Sequence, residues 1–270
     1  MKLCVLVTTM HASDDLRLYH SMNLRSDAVI ANQCDFDACC VKECNGRKVQ
    51  VISTKTKGLS RNRNIALAHS PQDADLFLFS DDDLVFNEGY EKLIFDEFEK
   101  HPYAEAIKFN IHDLSEKRKI SMKRIERFEK CTRRNMSSSG VCGLAIRKCV
   151  LKRNNLHFNE FFGSGTDNYC GEDTIFIQEM ISKKIRFYRS PADIAGINQK
   201  ESSWFKGYDD KYFRVAGMVL ATCFPTVCRI IAIRSAFKFS RNKKCRMGFS
   251  KVLKCYFDGI RHIKRKSGLS

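Results

Sequence analysis

An apolar run, Ala74-Asp75-Leu76-Phe77-Leu78-Phe79-Ser80, ends in three consecutive aspartates, Asp81, Asp82 and Asp83. The run is short, aromatic and aliphatic, and the turn-like Ser70-Pro71-Gln72-Asp73 precedes it, so it predicts a buried strand. Three carboxylates at the end of such a strand repel one another unless a cation sits among them. On an extended backbone Asp81 and Asp83 point to the same side. Two oxygen ligands on one side suit Mg²⁺ or Mn²⁺, which usually keeps its other positions for water and substrate phosphates. In an open α/β sheet, ligands bind beyond the carboxyl ends of strands. The competing reading is a solvated acidic turn.

The chain around this strand alternates. Leu3–Thr8, Asp27–Asp35 and Lys48–Ser53 predict strands, and Ser60 is a natural N-cap for a helix running to about Ser70. Glu91–Lys100 carries Leu93, Ile94, Phe95 and Phe98 at helical spacing. This alternation implies an α/β fold with a mostly parallel sheet and flanking helices. Ala104–Ile111, Val141–Ile146 and Ile185–Tyr188 predict further short strands. Ser115–Arg134 is highly charged and reads as a solvated helix or loop. Gly163-Ser164-Gly165-Thr166-Asp167 is a loop before a helical stretch with Ile175, Phe176, Ile177, Met180 and Ile181.

Composition sets bounds on this reading. Of 270 residues, 43% are hydrophobic and 29% charged, which supports a packed core and argues against disorder. Four prolines and no Gly/Ser-rich linker predict one continuous core. The net charge of +16 is concentrated at the end of the chain. From Arg234 to Ser270 there are twelve Lys/Arg and one acid, Asp258. Such a segment suits an anionic membrane surface or nucleic acid. Thirteen cysteines form no CxxC pair, which favours free thiols in a reducing cytoplasm. The apolar part of Met1–Thr9 is too short for a secretory signal and reads as the first strand.

Two further constellations carry chemistry. In Gly58-Leu59-Ser60-Arg61-Asn62-Arg63-Asn64, two arginines stand at a helix start, where cations oppose the helix dipole. Either Arg61 or Arg63 suits a diphosphate or the carboxylates of the aspartate cluster. In Gly171-Glu172-Asp173, adjacent carboxylates follow a loop. They suit a general base for an acceptor hydroxyl, while Asp173 is equally a good N-cap.

Taken in order, these three elements resemble a family 2 glycosyltransferase of the GT-A fold, of the kind found in bacterial surface-polysaccharide pathways. The resemblance runs from about Lys2 to Gly217. It implies a GT-A (Rossmann-like) domain with a nucleotide-sugar-binding half, 1–105, and an acceptor-binding half, 106–214. A basic, amphipathic helical tail, 215–270, follows. It also implies sugar transfer from a nucleotide-sugar, most simply a UDP-sugar, to a hydroxyl of a glycan or lipid-linked acceptor, with inversion. Asp81 and Asp83 would hold Mn²⁺ or Mg²⁺. Thr8, Asn32, Gln33, Gly58, Arg61, Arg63, Asn64, Asp81 and Asp82 would contact the donor. Asp173 would be the base and Glu172 would orient the acceptor. The family's usual Pro-x-Tyr-Asn opening is replaced by Thr8-Thr9-Met10-His11. Its acidic turn after the second strand is replaced by Asn32-Gln33-Cys34-Asp35. The Gln-x-x-Arg-Trp element of processive members is missing. Only Ser202-Ser203-Trp204 stands there, which favours single addition, with Trp204 either stacking on a sugar or packing in the core.

The end of the chain suggests where such an enzyme works. Val215–Ile233 is apolar but holds Arg229 and Pro225, so it makes a poor spanning helix. From Phe249 onward, Phe249, Val252, Leu253, Tyr256, Phe257, Ile260 and Ile263 fall on one helical arc, with Lys251, Lys254, Arg261 and Arg265 opposite. That pattern fits a helix lying in an anionic membrane interface, or one packed on the core. The first reading places the protein in the cytoplasm, peripheral on the inner face of the cell membrane, with no nucleic acid expected as a partner. The alternative functions are a nucleotidyltransferase acting on a sugar phosphate and a non-enzymatic membrane- or nucleic-acid-binding protein.

Overall fold

The computed structural model describes residues 1–12, 15–114, 124–136, 140–197 and 207–266. Trp204, with Ser202 and Ser203, lies outside them, as do 115–123 and Ser137–Ser139. In chain order the elements are β1 (Leu3–Met10), α1 (Asp15–Ser21), β2 (Asp27–Gln33), β3 (Ala38–Cys44), β4 (Arg47–Thr54) and α2 (Leu59–Ala68). Then come β5 (Leu76–Asp81), β6 (Leu84–Phe86), α3 (Tyr90–Lys100), β7 (Ala106–Asp113), β8 (Glu129–Lys130), β9 (Leu144–Arg147) and α4 (Lys148–Arg153). The last are α5 (Glu172–Ser182), β10 (Phe187–Ile197), α6 (Asp210–Cys223), α7 (Cys228–Ser240) and α8 (Phe249–Lys266).

The strands form one sheet in the order β3-β4-β2-β1-β5-β9-β7-β10-β6, with β8 paired to β10. Strands β4, β2, β1 and β5 are mutually parallel. From β1 the chain builds outward through β2 and β4, then returns to place β5 on the other side of β1. This reversal opens a crevice at the carboxyl ends of β1 and β5, where α/β sheets bind ligands. Register brings Thr8 opposite both Asp81 and Ala31, and Thr9 opposite Asn32.

Alternation along the strands feeds two cores. Leu3, Val5, Val7, Leu76 and Leu78 pack on one face with Tyr90, Ile94 and Phe98 of α3. Cys4, Leu6, Phe77 and Phe79 pack on the other with Phe158, Phe176 and Ile177. Burial on both faces explains why β5 reads as a continuous apolar run.

Several expected features differ. Strand β5 stops at Asp81, and Asp82-Asp83 form a turn into β6, so the extended backbone that would align Asp81 with Asp83 is not there. Ser60 is not an N-cap. Gly58 occupies that position, and the Ser60 hydroxyl donates to the Phe162 carbonyl at 2.6 Å. Asp173 is not a cap either, because α5 starts at Glu172 after Gly171. Strand β10 is longer than the expected Ile185–Tyr188, and Pro191 is carried at a register shift between Arg189 and Asp193. Helix α1 and the exposed edge strand β3 are additions.

The expected membrane-facing arc of α8 faces the protein instead. Val252, Tyr256 and Ile260 are buried with Phe213 of α6 and Ala232 and Ala236 of α7, while Leu253, Phe257 and Ile263 pack around them. Only Phe249 of the arc is exposed. Two glycines let α6 and α8 touch backbone to backbone. A Cβ on Gly217 would lie 2.2 Å from the Tyr256 carbonyl oxygen, and one on Gly259 would lie 2.0 Å from that of Arg214. Among the described residues no helix is long and apolar enough to cross a membrane.

This crossing decides the sign of one substitution. Gly→Ala in a helix interior ordinarily gains about 1 kcal/mol. Here the added methyl meets backbone that cannot rotate away, and overpacking costs about 1–3 kcal/mol. At 2.2 Å from a backbone oxygen the upper end of that cost applies, so Gly217→Ala is expected to lower stability by a net ~2 kcal/mol in urea denaturation. An unchanged or raised midpoint would show that the helices do not meet there.

Candidate active site

Helix α2 places three polar side chains, Ser60, Asn62 and Arg63, under the crevice. Asn62 donates to the carbonyls of Thr9 (3.1 Å) and Ala31 (2.9 Å), tying the helix to the ends of β1 and β2. Ser60 ties it to the loop before α5. Arg63, 3% exposed, spans two carboxylates. Its Nη1 donates to Asp173 Oδ1 at 2.5 Å, and its Nη2 to Asp81 Oδ1 and Oδ2 at 3.1 and 3.3 Å. The guanidinium lies 5.2 Å from the Phe158 ring centre. Phe158 stacks on Phe176 of α5 at 4.2 Å, and Phe79 of β5 meets both rings edge-on. The aromatic trio thus fixes α5 to β5 beneath the ion pairs.

The aspartates divide their tasks. Thr8 donates to Asp81 Oδ1 at 2.7 Å, and Thr9 to Asp82 Oδ2 at 2.6 Å. Burial pushes the Asp81 carboxyl up, but Arg63 and hydrogen bonds from Thr8 and Cys142 outweigh it and hold it below the usual range. Asp83 is pushed up to about 6 by burial and by the charges of Asp81 and Asp82. A divalent cation would relieve that repulsion, and an all-oxygen donor set suits Mg²⁺ or Mn²⁺, so these residues fit the metal. Among the described residues no group of three or more His, Cys, Asp or Glu is placed to hold a metal ion, so Asp81 and Asp83 could supply at most two protein ligands.

Asp173 is held at both oxygens, by Arg63 at Oδ1 and by the Val141 amide at Oδ2 (3.1 Å). Each oxygen keeps a lone pair for a further donor. Gly171 makes this placement possible: its φ is 103°, and a Cβ there would lie 2.3 Å from Val219. Glu172 beside it has a buried Oε2 with no hydrogen-bond partner, and burial, then the Asp173 charge, pushes it up to about 7.

The other expected donor contacts are dispersed. Asn32 is buried and binds Ala12 and Ser53, bracing the end of β2. Gln33 Oε1 accepts from the Gly58 amide at 2.9 Å. These residues line up near a pocket of about 340 Å³ bounded by His11, Gln33, Cys34, Asp35, Lys55, Thr56 and Lys57. Arg61 turns away from the aspartates to an exposed pair with Glu160, and Asn64 binds Phe158 and Glu160. Asn64 lines a larger cleft of about 690 Å³ that contains none of the three aspartates or Asp173.

One residue of the site was missed in the sequence. Lys108 of β7 is buried, and its ammonium donates to the Cys142 carbonyl, next to the amide that binds Asp173. Burial lowers its pKa to about 8, although Asp173 and Asp81 pull upward. A lone lysine inside the apolar strand Ala106-Ile107-Lys108-Phe109 was the available signal.

The sheet order, the switch point and the carboxylate rim define a GT-A glycosyltransferase fold. Residues 31–164 match the family model described as Glycosyl transferase family 2, in support of a family 2 glycosyltransferase. It is a glycosyltransferase. A crystal structure of S. aureus TarS 1-349 with UDP-GlcNAc is similar over 100% of this chain and 84% of that one, at TM-score 0.66 and 16% identity. The same fragment with UDP is similar over 100% and 83%, at TM-score 0.62 and 15% identity. At such identity the likeness concerns the fold. No curated protein matches the sequence.

Two measurements test this geometry. Arg63→Met leaves two partly buried carboxylates unpaired and is expected to cost about 2–4 kcal/mol in urea denaturation. Arg61→Met removes an exposed pair and should cost less than about 1 kcal/mol. Equal losses would contradict the division between the two arginines.

For Glu172, the folded-state pKa of about 7 lies above the ordinary value of 4.5, so the folded protein holds this proton more tightly than the unfolded chain. Its contribution is full below the unfolded value and is lost as pH rises through about 7. Glu172→Gln should therefore raise the thermal midpoint at about pH 8 and leave it unchanged at about pH 4. The same midpoint shift at both pH values would refute the buried-charge assignment.

Proposed function

We propose that the chain transfers a single sugar from a UDP-sugar to a hydroxyl of a glycan or lipid-linked acceptor, with inversion, in assembly of a bacterial surface polysaccharide. The observation that carries this reading is the Arg63 guanidinium, which holds Asp173 on one terminal nitrogen and the Asp81 carboxylate on the other. The donor-phosphate side and the proton-accepting side are thereby one unit. TarS, similar in fold, is described in complexes with UDP-GlcNAc and UDP.

The pocket at the ends of β1, β2 and β4 suits the base of such a donor. A uracil edge offers one N–H donor between two carbonyl acceptors. Asp35 supplies an acceptor and Lys55 and Lys57 supply donors around that pocket. Asp83, with Asp81, would hold the cation. Bound there, Mn²⁺ or Mg²⁺ would neutralise charge on the departing diphosphate. Asp173 accepts the acceptor hydroxyl's proton while the hydroxyl oxygen bonds to the anomeric carbon and the carbon–diphosphate bond breaks. Arg63 and the Val141 amide fix the carboxylate during that transfer. One base and no covalent intermediate invert the anomeric configuration.

Glu172 offers a second reading as the base, favoured by its unpartnered buried Oε2 and a pKa near working pH. Metal-dependent hydrolysis of a nucleotide-sugar panel would identify the donor. Asp83→Ala should then lose metal-dependent donor binding. Asp173→Asn should reduce transfer by roughly 10²–10⁴-fold while sparing donor binding. Near-normal turnover of folded Asp173→Asn, with the loss appearing in Glu172→Gln, would move the base to Glu172. Absence of hydrolysis with every UDP-sugar would overturn the donor assignment.

A further inference from the structure

Helix α7 is turned the wrong way for a soluble helix. Its buried side consists of the small residues Cys228, Ala232 and Ala236. Its outer side carries Ile230, Ile233 and Phe237, which are 61%, 45% and 50% exposed, with Val227 one turn earlier at 43%. Positions 227, 230, 233 and 237 recur at helical spacing and form one stripe. Isolated exposed apolar residues are ordinary, whereas a contiguous row of four marks a binding surface.

The charge around the stripe identifies its occupant. Arg229, Arg234, Lys238, Arg241, Lys243 and Lys244 are all exposed beside it, and no Asp or Glu occurs from Lys211 to Phe257. The Arg241 guanidinium lies 3.8 Å from the centre of the Phe237 ring, so cation and aromatic ring form one patch. A second copy of this chain would set six cations against six. A nucleic acid would use the cations and leave the isoleucines in water. An anionic lipid surface uses both: headgroups meet the Lys/Arg, and the interface takes the Ile/Phe row. Helix α8 is excluded from this role because its apolar arc is already consumed between α6 and α7.

We propose that α7 is a docking face for an anionic phospholipid surface, with Val227, Ile230, Ile233 and Phe237 entering the interface. This inference is independent of the sugar-transfer reading. It would bring the enzyme to any acceptor anchored in lipid.

The test is co-sedimentation of the full chain with phosphatidylcholine vesicles and with phosphatidylcholine/phosphatidylglycerol vesicles, at low and high salt. The parent is expected to bind only the anionic vesicles, and salt should weaken binding. Ile230→Ser/Phe237→Ser and Arg234→Glu/Lys238→Glu alter exposed side chains only, so both should keep the parent's thermal midpoint. Each should lose about tenfold or more in vesicle affinity. A parent that stays in the supernatant overturns the proposal. So does a serine variant that sediments like the parent, because net charge alone would then explain binding. Retention of RNA without vesicle binding overturns it in favour of a nucleic-acid surface. Donor hydrolysis, measured on the same samples, reports separately on the catalytic reading.

Discussion

A buried guanidinium between two carboxylates organises this enzyme. Arg63 cannot shed its charge, so it needs Asp81 from β5 and Asp173 from α5 beside it. Those carboxylates in turn depend on it against burial. Helix α2, the strand that follows it and the distant α5 are held to one geometry by a single side chain. The rest of α2 serves that placement. Ser60 grips the loop before α5, and Asn62 grips β1 and β2. The inward side of the helix is therefore polar, with Ser60, Asn62 and Arg63 buried. Directed hydrogen bonds thus anchor the start of α2, while Ile65, Ala66 and Leu67 farther along pack on the core.

Much of this was legible in the sequence. An apolar strand ending in aspartates, strands alternating with helices, and cations at a helix start without compensating acids all pointed to the crevice. Which arginine turns inward was not legible. Arg61 and Arg63 lie two residues apart, roughly 200° around a helix, so only one can face the sheet. Local rules also failed where tertiary partners outbid them. Ser60 and Asp173 look like N-caps, but Phe162 and Arg63 claim their side chains, and Gly58 and Gly171 start the helices instead. An extended backbone would align Asp81 with Asp83, yet β5 ends at the first of them. The sequence predicts only Ile185–Tyr188 here, whereas β10 runs on through Pro191, which the structure carries at a register shift.

Periodicity alone could not place the C-terminal helices. The arc of α8 satisfies the pattern for a membrane interface and for a packed bundle equally well. The contact that decides between them is non-local: Gly217 and Gly259 admit the facing backbones of α8 and α6. The same bundle leaves α7 with small residues inside and large apolar ones outside. A sequence cannot reveal that inversion without knowing which side of α7 the neighbours occupy.

Strand β9 lies antiparallel between β5 and β7, hydrogen-bonded to both. It stitches the strand that carries the aspartates to the strand that carries Lys108, so the two sides of the crevice belong to one continuous ladder. A hinge between them would have to break that ladder and the packed layers on both faces. The frame therefore works as a rigid jaw. Rotation of one half of the sheet against the other is thus closed to it as a way of admitting a donor or releasing a product.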